Sequence, residues 1–358
     1  DQVASGSWEM YGVVYNAADG DLELSGISVN TFELSTAVYS QSFSVSAQES
    51  NPYGISFNAD GTKMFIVGTT GDKVYEYTLT TGFDVSTASF VDFFSVSSQD
   101  STPTGLAFNS DGTKMFIAGD TNNSVYQYNL TTGFDVSTAS YSGNSTSVNS
   151  QESQPSGLAF NLDGTKMFVC GYSADSVHEY TVSLGFDLSS TITFVRSFSV
   201  ASQATVPLGM TFNNDGTKML IADNSSDIIY EYVLTTGFDL STASYNSVSL
   251  DVSSQDTVTR GLAFSPDGLN LFLTGGSNDS VYQYSIGSTA TPTGYQPVHT
   301  TASTNTTYWT DINSMTADQN AGDGNVYYAI STDDRTTWTV IDNTDGERDI
   351  VRNNAGTW

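Results

Sequence analysis

Residues 99–140 read QDSTPTGLAFNSDGTKMFIAGDTNNSVYQYNLTTGFDVSTAS, and close variants of this stretch return along the chain at a fixed interval. Its anchor, DGTK, stands at Asp60–Lys63, Asp111–Lys114, Asp163–Lys166 and Asp215–Lys218, with a decayed copy, DGLN, at Asp267–Asn270. Successive copies are 51 or 52 residues apart. A period of this size means that one supersecondary unit is built repeatedly. Within the unit, GLAF, KMFI and SVYQY are short, rich in β-branched and aromatic residues, and bounded by Gly, Asn or Asp. The two tyrosines of VYQY lie two apart and share one face of a strand. Asp-Gly suits a tight hairpin because Gly accepts positive φ without strain. No stretch holds a helical period. Four antiparallel strands per unit, repeated head to tail, predict an all-β chain: a β-propeller of four-stranded blades.

The flanks bear on closure. Phe32–Ala37 (FELSTA) echoes the linker FDVSTA, and Ser42–Val45 (SFSV) echoes the last strand of the unit. Residues 1–45 are therefore expected to complete a closing blade, and 46–300 to hold five explicit blades. Residues 301–358 are expected to form a divergent blade or a small C-terminal β module, with INSMTADQ, NVYYAIST and TTWTVID laid over three strands. Dividing 358 residues by 52 gives about 6.9, so seven blades are expected, six being the alternative. Strands from both termini would close the ring and remove exposed edges.

Thirty-nine acids oppose ten bases, a net charge of −29. Such a surface repels phosphate backbones and anionic lipid, so nucleic acid and membrane insertion are disfavoured. An acidic extracellular chain, its self-repulsion screened by salt, fits this composition. The single cysteine, Cys170, permits no intrachain disulfide and reads as core filler.

The unit KMFIAG…SVYQYNL resembles the YVTN-type repeat of lactonase-like and surface-layer propellers. The fuller pattern SFSVSSQD…DGTKMFI with its GFDVSTAS linker resembles propellers of marine bacteriophage and marine bacterial extracellular proteins. The C-terminal stretch NVYYAISTDDRTTWTVI is similar to a module of phage virion proteins. These resemblances imply a virion appendage (a tail fibre, adhesin or decorating protein) meeting a host surface glycan or protein, or other virion proteins. By analogy with tail fibres they imply an oligomer, although no heptad pattern accompanies them.

Ser331–Trp338 (STDDRTTW) resembles the Asp box of sialidase propellers, with Arg335 where Gly is expected, but it is a structural hairpin there. Lactonase-type chemistry would need carboxylates converging on a divalent metal at the channel mouth. The candidates are the acids after the repeated glutamine, Glu49, Asp100, Glu152 and Asp256, with Ala204 breaking the series. Arranged around one mouth they would bind Ca²⁺ or a cationic ligand. A residue repeated in every blade more often serves the blade, and the same reasoning gives Gln48, Gln99, Gln151, Gln203 and Gln255 a structural role towards backbone. The lysines of DGTK read as solvated strand starts. His178 takes a Tyr slot and reads as packing. Tyr172 is the one aromatic platform in the variable loops for a glycan. Motifs for nucleophile elbows, zinc proteases, P-loops and dinucleotide binding are absent. The expectation is thus a non-enzymatic extracellular binding propeller needing no cofactor. The alternatives are a secreted, metal-assisted lactonase-type hydrolase and a cell-surface or matrix structural protein.

Overall fold

A computed structural model describes residues 32–286 and five short strands outside that span. Three of these five, β1 (Glu9–Met10), β2 (Val13–Asn16) and β3 (Asp21–Glu23), form one antiparallel sheet. Residues 32–286 begin with β4 (Ala37–Ser44) and then run through four complete blades. Blade one is β5 (Pro52–Phe57), β6 (Lys63–Gly68), β7 (Lys73–Leu79) and β8 (Ala88–Ser95). Blade two is β9 (Pro103–Phe108), β10 (Lys114–Gly119), β11 (Ser124–Leu130) and β12 (Ala139–Ser147). Blade three is β13 (Pro155–Phe160), β14 (Lys166–Gly171), β15 (Ser176–Val182) and β16 (Ile192–Ser199). Blade four is β17 (Pro207–Phe212), β18 (Lys218–Asp223), β19 (Ile228–Leu234) and β20 (Ala243–Asp251).

The fifth repeat supplies only β21 (Thr259–Phe264), β22 (Asn270–Gly275) and β23 (Ser280–Ile286). Its outer strand is β4, paired antiparallel with β23 from Ser44↔Ser280 to Ala37↔Ile286. The innermost strands β5, β9, β13, β17 and β21 meet in sequence, and β21 returns to β5. The ring therefore closes with five blades. This corrects the expectation of seven or six: dividing by the whole length counted residues outside 32–286. The strand β4 thus supplies the fourth strand of the fifth repeat's blade. Of those last residues only β24 (Tyr328–Ile330) and β25 (Thr339–Ile341), an antiparallel pair, are described. The Asp-box stretch Ser331–Trp338 lies outside the described residues.

The core sits between blades. In β10, Met115 and Ile117 pack against Phe65 and Val67 of blade one, while Phe116 and Ala118 pack against Leu158 and Val169 of blade three. Both faces of each blade are covered, so KMFI is continuously apolar rather than alternating. At the hairpin Gly112 takes φ 71°, and a side-chain carbon there would strike the Phe134 ring. Phe134 itself holds φ 57°, which a bulky residue adopts only when its surroundings impose it. Its carbonyl accepts a 2.6 Å hydrogen bond from Lys63 Nζ of the preceding blade. Lys114 and Lys166 donate likewise to Phe186 and Phe238, and Lys218 to Phe32. The repeat lysines are thus clasps between blades, correcting their reading as solvated strand starts.

Candidate functional site

Strand direction places the hairpins and their lysines at one end of the ring. The turns between second and third strands, and the loops entering each inner strand, lie at the other. The second end carries the acids found by sequence. Asp100 is 2% exposed, and its carboxylate accepts N–H bonds from Thr102 (2.9 Å), Thr121 (3.2 Å) and Asn122 (3.0 Å). Glu49 holds Asn51, Thr70 and Gly71 in the same way. Glu152 holds Gln154, Ser173 and Ala174, and Asp256 holds Val258, Ser277 and Asn278. Each carboxylate clamps two loops of its own blade.

Blade four explains the break at Ala204. Asp223 stands where other blades have Gly68, Gly119, Gly171 or Gly275, and it accepts from the amides of Val206 and Ser226. A side-chain carbon at Gly119 would fall within the Asp100 carboxyl group. The acid comes from one side with glycine opposite, or from the other side with alanine opposite. The repeated glutamines also serve their blades: Gln99 accepts from the buried Tyr128 hydroxyl at 3.2 Å, and the other four repeat this bond. That partner is a side chain, not the backbone expected.

Among the described residues no three His, Cys, Asp or Glu side chains converge on one point. The four acids stay in separate blades, with their oxygens engaged by amides. This donor set does not fit a divalent ion.

The unrepeated column is the second residue of the inner strand: Tyr53, Thr104, Ser156, Leu208 and Arg260. Thr104 and Ser156 donate to the carbonyls of Pro155 and Pro207 in the next blade. Arg260 is 8% exposed, donates from Nη1 to the Pro52 carbonyl at 3.0 Å, and stacks 4.1 Å from the Tyr53 ring centre. Its Nε is buried without a partner. Burial pulls its pKa down, while Tyr53, Asp256, Asp279 and Glu49 favour its charge. Below it the channel narrows, because Gly54, Gly105, Gly157, Gly209 and Gly261 bring the inner strands together. The cavity there holds about 20 Å³, room for a single water. This constriction admits nothing larger than water.

Tyr172, singled out in the sequence, is half-buried at this end. Gln154 donates to its hydroxyl at 2.9 Å, and that hydroxyl donates to Asp120 Oδ2 at 3.4 Å. Burial, then Asp120 and Tyr53, push the Tyr172 phenol up to about 12. Burial, with Asp100 and Glu152 adding to it, raises the Asp120 carboxyl above its ordinary value. Asp72, Asp175 and Asp227 are raised too, by burial first and neighbouring acids second. Asp279 is raised by burial, with Arg260 opposing and Asp256 and Glu49 adding to it. The mouth is strongly acidic, with one buried guanidinium on its inner wall. Sequence reasoning missed Arg260, Tyr53 and Asp120; the first two stand in the inner-strand column that does not repeat, and Asp120 takes the loop position that Tyr172 holds in the next blade.

A family model described as "Lactonase, 7-bladed beta-propeller" matches residues 28–238. No curated protein matches the chain. Among solved structures it is similar to a putative 6-phosphogluconolactonase from Bacteroides uniformis, at 13% identity and TM-score 0.42 over 64% of this chain and 65% of that one. It is similar to another putative 6-phosphogluconolactonase, from Bacteroides fragilis, at 17% identity and TM-score 0.37 over 56% and 55%. A third is the Pseudomonas aeruginosa periplasmic gluconolactonase, at 18% identity and TM-score 0.37 over 56% and 54%. The chain spans about three fifths of the length of the solved structures it matches.

Proposed function

The chain belongs to the seven-bladed β-propeller lactonase family, and on that premise we propose that it hydrolyses cyclic esters at the acidic mouth of its ring. Membership overturns the expectation that the chain is not an enzyme; nothing in the comparisons supports a virion appendage. The observation carrying the proposal is the match over residues 28–238, which includes Tyr53, Asp120 and Tyr172. Arg260 lies beyond the matched residues.

In this reading Asp120 is the general base, its raised pKa bringing it nearer the operating pH. The Tyr172 hydroxyl orients it. Water attacks the lactone carbonyl, gives a proton to Asp120, and Arg260 stabilises the oxyanion that forms. The ring C–O bond then breaks and its oxygen takes the proton back, leaving a hydroxy acid. The product ionises at neutral pH, so a neutral lactone enters and an anion is expelled by the same acidic field. An extracellular setting, where salt screens the net charge of −29, belongs to this proposal.

The test is pH-stat titration of purified protein against a panel of neutral γ- and δ-lactones. Turnover above the spontaneous rate is expected, unaffected by EDTA, and about 10²–10⁴-fold lower in Asp120→Asn. No turnover of any lactone would refute the reading.

A further inference from the structure

Blade three carries a side-chain relay that the other blades lack. The first aromatic of the third strand is Tyr75, Tyr126, Tyr230 or Tyr282 in four blades and His178 in this one. His178 is 2% exposed on β15. Its Nδ1 lies 2.8 Å from Ser197 Oγ, opposite it on β16. Its Nε2 has no hydrogen bond and stands 3.7 Å from Glu152 Oε2, ion-pair distance rather than hydrogen-bond distance. Glu152 is fully buried and fixed by loop amides, while Ser197 is exposed on the outermost strand.

A carboxylate facing Nε2 favours the tautomer with its proton there. Nδ1 is then left to accept from the Ser197 hydroxyl. That is the acid–imidazole–alcohol order of an activated serine. Serine also faces the slot in three other blades, as Tyr126↔Ser145, Tyr230↔Ser249 and Tyr282↔Ser42. Tyrosine cannot accept a proton from serine near neutral pH, so only blade three pairs a serine with a base.

We propose that Ser197 is a nucleophile for acyl transfer, with His178 as its base and Glu152 as the positioning residue. Ser197 Oγ attacks an ester carbonyl and its proton moves to Nδ1. The ester C–O bond breaks, and the leaving oxygen takes that proton as an alcohol or phenol. Water, deprotonated by His178, then cleaves the acyl-serine to a carboxylic acid and restores the hydroxyl. The substrates are unhindered open-chain or aryl esters able to reach an open sheet face. Phe194, 40% exposed with its ring 6.5 Å from that of His178, offers an apolar seat. The net charge of −29 favours neutral or cationic esters over anionic ones. This site is on the outer strands of blade three and Arg260 on the inner strand of blade five, so neither proposal depends on the other.

The experiment is to treat the whole chain with a fluorophosphonate probe, locate the adduct by peptide mass spectrometry, and follow p-nitrophenyl acetate cleavage. One adduct on the Ser197 peptide is expected, absent in Ser197→Ala. His178→Tyr installs the residue that four blades already accept, so it keeps the fold, confirmed by thermal melting. It should slow labelling and ester cleavage about 100-fold or more. The proposal is overturned if wild-type protein is not labelled, if Ser197→Ala labels equally, or if His178→Tyr reacts at the wild-type rate. Lactone turnover is measured on the same samples and reports separately on the mouth.

Discussion

Moving the carboxylate clamp of blade two to the position used in blade four tests how the mouth loops are held. Asp100→Ala removes the acceptor for three amides at a residue only 2% exposed. Each buried donor left unpaired costs about 1–3 kcal/mol, so three set a ceiling near ~9 kcal/mol. The loops can relax and admit water, and we expect about 3–5 kcal/mol. Gly119→Asp alone puts a side chain into the Asp100 carboxyl and a second acid beside the first, and should cost a similar amount. The double variant Asp100→Ala/Gly119→Asp reproduces the pairing of Ala204 with Asp223. It should recover at least half of the combined loss, a coupling of about 2–3 kcal/mol or more. Urea unfolding followed by far-ultraviolet circular dichroism measures all four proteins. Simple additivity of the two losses would refute the clamp.

Other consequences are as direct. Lys63→Ala strips the ammonium held 2.7 Å from Glu76 and 2.6 Å from the Phe134 carbonyl, leaving a carboxylate 4% exposed without its cation. It should cost about 2–4 kcal/mol in the same assay, against under ~1 kcal/mol for a solvated lysine. The aspartates of the mouth have pKa values raised by burial, so they bind protons more tightly folded than unfolded, and stability should rise as pH falls from neutral towards about 4. Below that, Asp60, Asp111 and Asp163, held low by threonine hydrogen bonds, are protonated and their contribution is lost. Thermal melts should therefore peak at mildly acidic pH, and a maximum at pH 8 would contradict this. Deleting residues 1–44 uncovers the edge of β23, and size-exclusion chromatography should show self-association that a β4 peptide suppresses.

What was legible in the sequence is local. The DGTK turns, the strands they join and the covered faces of KMFI follow from residue chemistry within a dozen positions. The blade count was not legible, because closure is decided by β4 pairing with β23, some 240 residues apart in the chain. The lysine clasps escaped for the same reason: Lys63 meets Phe134 across 71 residues. The acids were found by their repetition, yet repetition marked the service they give each blade, and the Ala204 gap became intelligible only once Asp223 was seen opposite it. The mouth residues Arg260 and Asp120 do not repeat, so a search guided by the period passed over them. The family is named for seven blades, while the described residues of this chain close a ring with five.

The most direct measurement is steady-state lactone hydrolysis by wild-type protein and by Arg260→Met, with matched melting curves confirming the fold. The account predicts that wild type turns over a neutral lactone and that Arg260→Met loses about 10²–10³-fold in kcat, as expected when one oxyanion donor is removed. Equal turnover by both proteins would contradict catalysis at the mouth.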